Sequence, residues 1–225
     1  MANISKIKAQ AKELFLMAVA DPKFDMQHDD EKCLDYLEYI LGAELANRKK
    51  NAIERTRKTC NLPHIRFDAG RVKSDVRSQL DKMLECKWAD ECKNIVISGA
   101  CGSGKTVLAT HLANAALERG HKVFYIKLDE MLLVLQKKDA FEKATATYNK
   151  IKNADVLVVD EMLYLNLDRQ DLEGVYRTLM LVNDTTSVIF VMNRESSELL
   201  RESDEKYTMR LLIERALSNA DVIRL

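Results

Sequence analysis

Glycine and proline are scarce in this chain of 225 residues: there are seven glycines and two prolines. No low-complexity segment and no internal repeat is present. Charge of one sign is missing too, since 35 lysines and arginines face 35 aspartates and glutamates. A zero balance argues against a wholesale polyanion binder and turns attention to local patches. No apolar run approaches the roughly 20 residues needed to span a bilayer. Met1–Lys6 holds no cationic segment leading into an apolar stretch, so no secretory signal is expected. These absences predict a cytoplasmic protein without a membrane partner. The five cysteines, Cys33, Cys60, Cys86, Cys92 and Cys101, form no C-x-x-C pair. They are expected to be free thiols, with no zinc site.

What is present is concentrated. Three of the seven glycines lie in Gly99-Ala100-Cys101-Gly102-Ser103-Gly104-Lys105-Thr106, which fits G-x-x-x-x-G-K-[ST]. Asn94–Ser98 before it has the character of a short buried strand. Val107–Glu118 after it has Leu108, Leu112 and Ala115-Ala116 on one helical face. A strand, a glycine turn and a helix N-terminus make a phosphate cradle, because backbone amides and the helix dipole both face the anion. Residues Gly99 to Val107 are the expected nucleotide contacts. Lys105 would reach the β- and γ-phosphates, and Thr106 would ligate Mg²⁺. The competing reading is a glycine-rich turn with no ligand. Cys101, inside the loop, is either filler or a thiol whose oxidation would block nucleotide.

The first sixty residues have another character. Ile4, Ile7, Ala11, Leu14 and Ala18 fall at helical spacing up to Asp21-Pro22. Asp29-Asp30 offers an N-cap to a second helix with Leu34, Leu37, Leu41 and Leu45 on one stripe. That helix runs into a stretch carrying Arg48, Lys49, Lys50, Arg55, Arg57 and Lys58 against Glu54, and Pro63 ends it. The basic stretch is either a solvated face or a contact to DNA phosphates. The expected division is a helical region over 1–58, a linker over 59–75 and a nucleotide-binding core over 76–225. In that core, apolar strands around 95–98, 122–126, 155–159, 187–191 and 221–225 alternate with helices. Strands apolar throughout belong in a parallel sheet covered on both faces, so the fold class is three-layer α/β.

The third strand ends in Asp160-Glu161. An acid at the tip of a buried strand is where such sheets bind ligand. Asp160 suits Mg²⁺, and Glu161 suits activation of an attacking water, which favours hydrolysis over transfer to a substrate. Asn193 ends the fourth strand, either as a group holding that water or as an Asx turn. Arg215 lies on the last helix; such an arginine is commonly a salt-bridge residue and can also serve a neighbouring subunit.

Together these stretches resemble the AAA+ ATPases of the IstB/DnaC type, and most closely the IstB transposition helpers. The resemblance rests on Asn94–Leu112, on Ala154–Leu167 (ADVLVVDEMLYLNL) and on Leu211–Leu225 (LLIERALSNADVIRL), and it covers most of the chain. Ala100-Cys101 and Ser218-Asn219 depart from the family's usual residues. The resemblance implies a five-stranded P-loop AAA+ core without a C-terminal lid. It implies ATP and Mg²⁺ as cofactors and makes Asn193 sensor 1 and Arg215 an arginine finger. It also implies an ATP-dependent homo-oligomer on DNA, partnered by a transposase or a replicative helicase. By the same resemblance Trp88, just before the first core strand, would lie near the adenine. A small-molecule kinase would need an arginine-rich lid, and Asp129–Lys152 contains no arginine. A nucleotide-sensing adaptor that does not hydrolyse ATP would have no use for Glu161.

Overall fold

The computed structural model of the protein describes residues 4–20, 31–71, 74–162, 169–182, 185–193, 211, 213–214 and 217–225. The chain divides into two compact units, residues 1–55 and 56–225.

In the first unit, α1 (Ile4–Glu13) and α2 (Met17–Ala20) precede the long helix α3 (Glu31–Thr59), whose last residues belong to the second unit. Ile7, Ala11 and Leu14 pack with Leu34 and Leu41, so both apolar stripes face one small core. The single helix expected over residues 4–18 is interrupted. Phe15 adopts φ +61°, and the amides of Phe15 and Leu16 bond back to Lys12 O and Ala11 O. That paired pattern is a Schellman end, formed here without glycine.

The second unit is built on five parallel strands: β1 (Asn94–Ser98), β2 (Val123–Lys127), β3 (Val156–Met162), β4 (Ser187–Met192) and β5 (Ala220–Arg224). Their order is β2-β3-β4-β1-β5. The interior strands β1, β3 and β4 are almost wholly buried, because side chains on both pleat faces meet helices. On one face Val96, Phe124, Ile126, Leu157, Val159 and Phe190 pack against α7 (Leu128–Lys137), α8 (Glu142–Lys152) and α9 (Arg169–Val182). The alternate residues, Tyr125 and Asp160 among them, point to the other face, where α6 (Lys105–Glu118) lies. Gly120 closes α6 at φ +102°, with the amides of Gly120 and His121 bonded to Leu117 O and Ala116 O.

Between α3 and the sheet, residues 60–68 form an extended strap. Tyr125 N donates to Cys60 O at 2.7 Å, and Asn61 Nδ2 donates to Tyr125 O at 3.2 Å, so the strap begins on the open edge of β2. It passes α6, where Phe67 stacks on His111 with centroids 3.8 Å apart. A helical turn at Ala69–Arg71 and α4 (Ser74–Met83) follow, and Gln79 Nε2 donates to Val222 O on β5. A short α5 (Lys87–Asp90) then leads into β1. Among the described residues, no helix is long and apolar enough to cross a membrane.

Candidate nucleotide site

In a sheet of this order the crevice lies beyond the carboxyl ends of the strands. β1, β3 and β4 deliver the glycine loop, Asp160-Glu161 and Asn193 to that edge. Gly99, Gly102 and Gly104 have φ of +153°, +77° and +92°, which L-residues adopt only under strain. A Cβ on Gly99 would also lie 2.6 Å from the backbone oxygen of Leu225. Gly104 is the N-cap of α6 and provides no side-chain cap, so the first amides of the helix are left for another acceptor.

Lys105 is buried. Its ammonium donates to Gly99 O at 3.0 Å and Ala100 O at 2.6 Å, holding the loop closed across its mouth. Thr106 Oγ1 donates to Asp160 Oδ2 at 2.8 Å, and Tyr125 donates its hydroxyl to the same oxygen at 2.7 Å. Glu161 N donates to Asp160 Oδ1 at 2.7 Å. Burial, and then the bond to Asp160, push the Tyr125 phenol far above its ordinary range, so it remains a donor.

Glu161 stands in a strained backbone conformation, φ +56°, where the register of β3 against β4 shifts between Val159 and Met162. Its Oε1 pairs with Lys127 Nζ at 2.8 Å. The hydrogen bond to Glu161 raises the Lys127 ammonium above the usual lysine range.

Cys101, Gly102 and Gly104–Val107 line an open cavity of ≈ 500 Å³ with Asp160, Glu161 and Asn193. That volume lies in the range of small-molecule sites. Gly99, Ala100 and Ser103 shape the loop without lining it. Arg215 lies outside the described residues. Thr106 and Asp160 supply hard oxygens, the donor set Mg²⁺ prefers, and Mg²⁺ needs few protein ligands beside phosphate and water. The residues therefore fit a Mg²⁺ nucleotide.

Sequence reasoning misses Tyr125 and Lys127. Both lie in a run, Val123–Lys127, whose pattern announces only a buried strand. The available signal is the position of Lys127 at the carboxyl end of β2, paired with Asp160, with Tyr125 two residues before it on the same face.

Trp88 is a correction. Its indole donates to Met83 O at 2.8 Å, and its carbonyl accepts from Ser187 Oγ at 2.9 Å. Ser187 begins β4, so Trp88 sits at the amino edge of the sheet, a strand length from the loop. Its short helix lies at that edge, opposite the one that carries the glycine loop.

On α3, Arg48, Lys49, Lys50, Arg55, Arg57 and Lys58 are all exposed. Arg48 pairs with Glu44 at 2.7 Å, and Arg57 pairs with Glu118 at 3.9 Å.

The IstB-like ATP binding protein family matches residues 8–225. An ATP-binding protein of an IS21-like insertion sequence from Bacteroides fragilis is 25% identical over 202 residues, covering 87% of this chain and 77% of the relative. Its counterpart from insertion sequence IS5376 of Geobacillus stearothermophilus is 23% identical, covering 85% and 78%. Among solved structures, the DnaC helicase loader aligns with a TM-score of 0.57 at 16% identity, over 79% of this chain and 98% of its own. The replication initiator DnaA bound to AMPPCP and single-stranded DNA aligns at 0.54 and 20% identity, over 68% and 46%. The fold is thus the P-loop AAA+ core of these proteins, and the chain belongs to the IstB-like ATP binding protein family.

Proposed function

We propose that this ATPase binds ATP to assemble as a homo-oligomer on DNA, hydrolyses it to disassemble, and in doing so assists a transposase. One observation carries the hydrolytic part: Lys105 and Thr106 at the start of α6, Asp160 and Glu161 on β3, and Asn193 just after β4 line a single cavity. On binding, Lys105 exchanges the loop carbonyls for the β- and γ-phosphates. Thr106 and Asp160 hold Mg²⁺, which when bound offsets charge on the phosphate oxygens. Glu161 takes the proton of the attacking water, and Asn193 orients that water against the γ-phosphate. Arg215 is supplied to the site of an adjacent subunit.

The link to transposition is supported by relatives that are ATP-binding proteins of insertion sequences. DNA contact is supported by the exposed cations of α3. Lys58, the last of them, also lines a groove of ≈ 730 Å³ with Lys137, Lys143 and Lys150. Replicative helicase loading is the second reading. It rests on the likeness to DnaC, which extends over nearly all of that chain.

The test mixes two inactive variants. Lys105→Ala cannot hold ATP but still offers Arg215. Arg215→Ala holds ATP but offers no finger. Each alone should be inactive, and an equimolar mixture with DNA should regain phosphate release. A mixture that co-assembles yet stays inactive overturns the shared-site mechanism. Assembly on DNA that ignores ATP overturns the proposed cycle.

A further inference from the structure

Tyr125 is 4% exposed, and it does not line the loop cavity. Its hydroxyl nevertheless reaches Asp160 Oδ2 at 2.7 Å. The registers of β2 and β3 explain the reach: Tyr125 is paired with Val158, and Asp160 is two residues on, on the same face. Asp160 is itself 2% exposed, so its orientation is set by its bonds rather than by water. Three donors hold it. The first, Thr106, is itself a ligand candidate, so its bond to Asp160 must exchange when the cation arrives. The second is the amide of Glu161, a residue in strained backbone at a register shift. The third is Tyr125, the one fixed from outside the loop and the acid pair. The Tyr125 backbone is pinned in turn, its N–H by Cys60 O and its C=O by Asn61 Nδ2.

We propose that Tyr125 is a positioning residue for cation binding: its hydroxyl holds the Asp160 carboxylate in its ligating orientation while Thr106 turns to the metal. This rests on the reading that Thr106 and Asp160 hold Mg²⁺. A phenylalanine would fill the same space. A buried hydroxyl is costly unless it is bonded, so the oxygen is explained by its partner rather than by packing. Outer partners of this kind typically govern metal affinity through the ligand they hold. The residue also joins two parts of the unit, because the strap from α3 anchors its backbone and the metal-binding acid anchors its tip.

The experiment titrates Mn²⁺, followed by its paramagnetic resonance signal, into full-length protein with a non-hydrolysable ATP analogue. Analogue affinity is measured separately in EDTA. In Tyr125→Phe the Mn²⁺ affinity should fall about 10-fold, while the metal-free analogue affinity stays within twofold. Replacing Tyr125 with 4-aminophenylalanine, which restores an N–H donor, should recover most of the loss. Unchanged Mn²⁺ affinity in Tyr125→Phe overturns the proposal, as does an equal loss of metal-free binding. A Tyr125→Phe protein that no longer unfolds cooperatively also overturns it, since the hydroxyl would then serve the fold. If the wild type binds the analogue but takes up no Mn²⁺, the reading of Thr106 and Asp160 fails first. If Asp160→Asn abolishes uptake and Tyr125→Phe does not, only the role of Tyr125 fails.

Discussion

Lys127→Met should speed ATP hydrolysis when no partner is bound. Lys127 Nζ lies 2.8 Å from Glu161 Oε1, and that carboxylate is the proposed base. Held against the ammonium, the carboxylate is turned from its water, so the pair must open for turnover. The side chains are 42% and 45% exposed, so solvent screens the interaction. Pairs of that exposure are worth about 0.2–1 kcal/mol. At roughly 1.4 kcal/mol per tenfold in rate, removing the restraint raises kcat by about 1.4- to 5-fold. Methionine keeps the apolar stem and loses only the charge. The assay is steady-state phosphate release at saturating MgATP without DNA, and KM should stay nearly constant. The hydrogen bond to Glu161 raises the Lys127 pKa, so the ammonium keeps its charge at neutral pH and loses it only above the usual lysine range. The ratio of variant to wild-type rates should therefore be flat between about pH 6 and 9. A rate unchanged in the variant would show that the pair is no restraint. A fall of tenfold or more would show that Lys127 acts on substrate, and either result refutes the argument.

Glu161→Gln should bind ATP and lose turnover, whereas Asp160→Asn should weaken Mg²⁺-dependent binding; equal losses of binding in both would erase the division between the two acids. Replacing Lys49 and Lys50 with alanine should flatten the salt dependence of duplex DNA binding, by roughly 0.9 in slope for each lost phosphate contact. An unchanged slope would assign this stretch to a protein partner. Burial lowers the His111 pKa, with Glu118 opposing it, so the folded state takes up a proton less readily than the unfolded chain. That contribution to stability is present above the usual imidazole pKa of about 6.5 and is lost as pH falls. The melting temperature should accordingly drop less on acidification in His111→Phe than in wild type. Trp88 fluorescence should stay flat through an ATP titration, and a change at saturation would contradict its position at the far edge of the sheet.

The glycine loop and the strands around it are legible in the sequence because their signals are local. A fixed spacing of glycines, lysine and threonine reports a backbone geometry. Runs such as Val156–Val159 report burial on both faces. What stays hidden depends on partners distant in the chain. Val123–Lys127 carries no sign that Tyr125 and Lys127 will reach Asp160 and Glu161, some 35 residues later. The extension of β3 past Val159 is concealed because two acids interrupt its apolar run, although backbone pairing continues to Met162. α4 begins two residues inside the stretch expected to be linker, because Ser74 and Asp75 precede its apolar stripe of Val76, Leu80 and Met83. The break at Phe15 is missed because a left-handed helix end is normally announced by glycine or asparagine.

The place where the strap begins governs how this protein can be cut. A fragment starting at residue 76 retains every strand and the whole glycine loop. It also strips Cys60 and Asn61 from β2 and frees the Tyr125 N–H and C=O, completing an open row of amides and carbonyls along that strand. Such a row templates strands from other copies, and β2 is rich in the residues that favour it. The truncated protein would tend to aggregate on expression, while one beginning ahead of Cys60 would keep the centre of that edge covered. In this chain the segment that looks dispensable guards solubility.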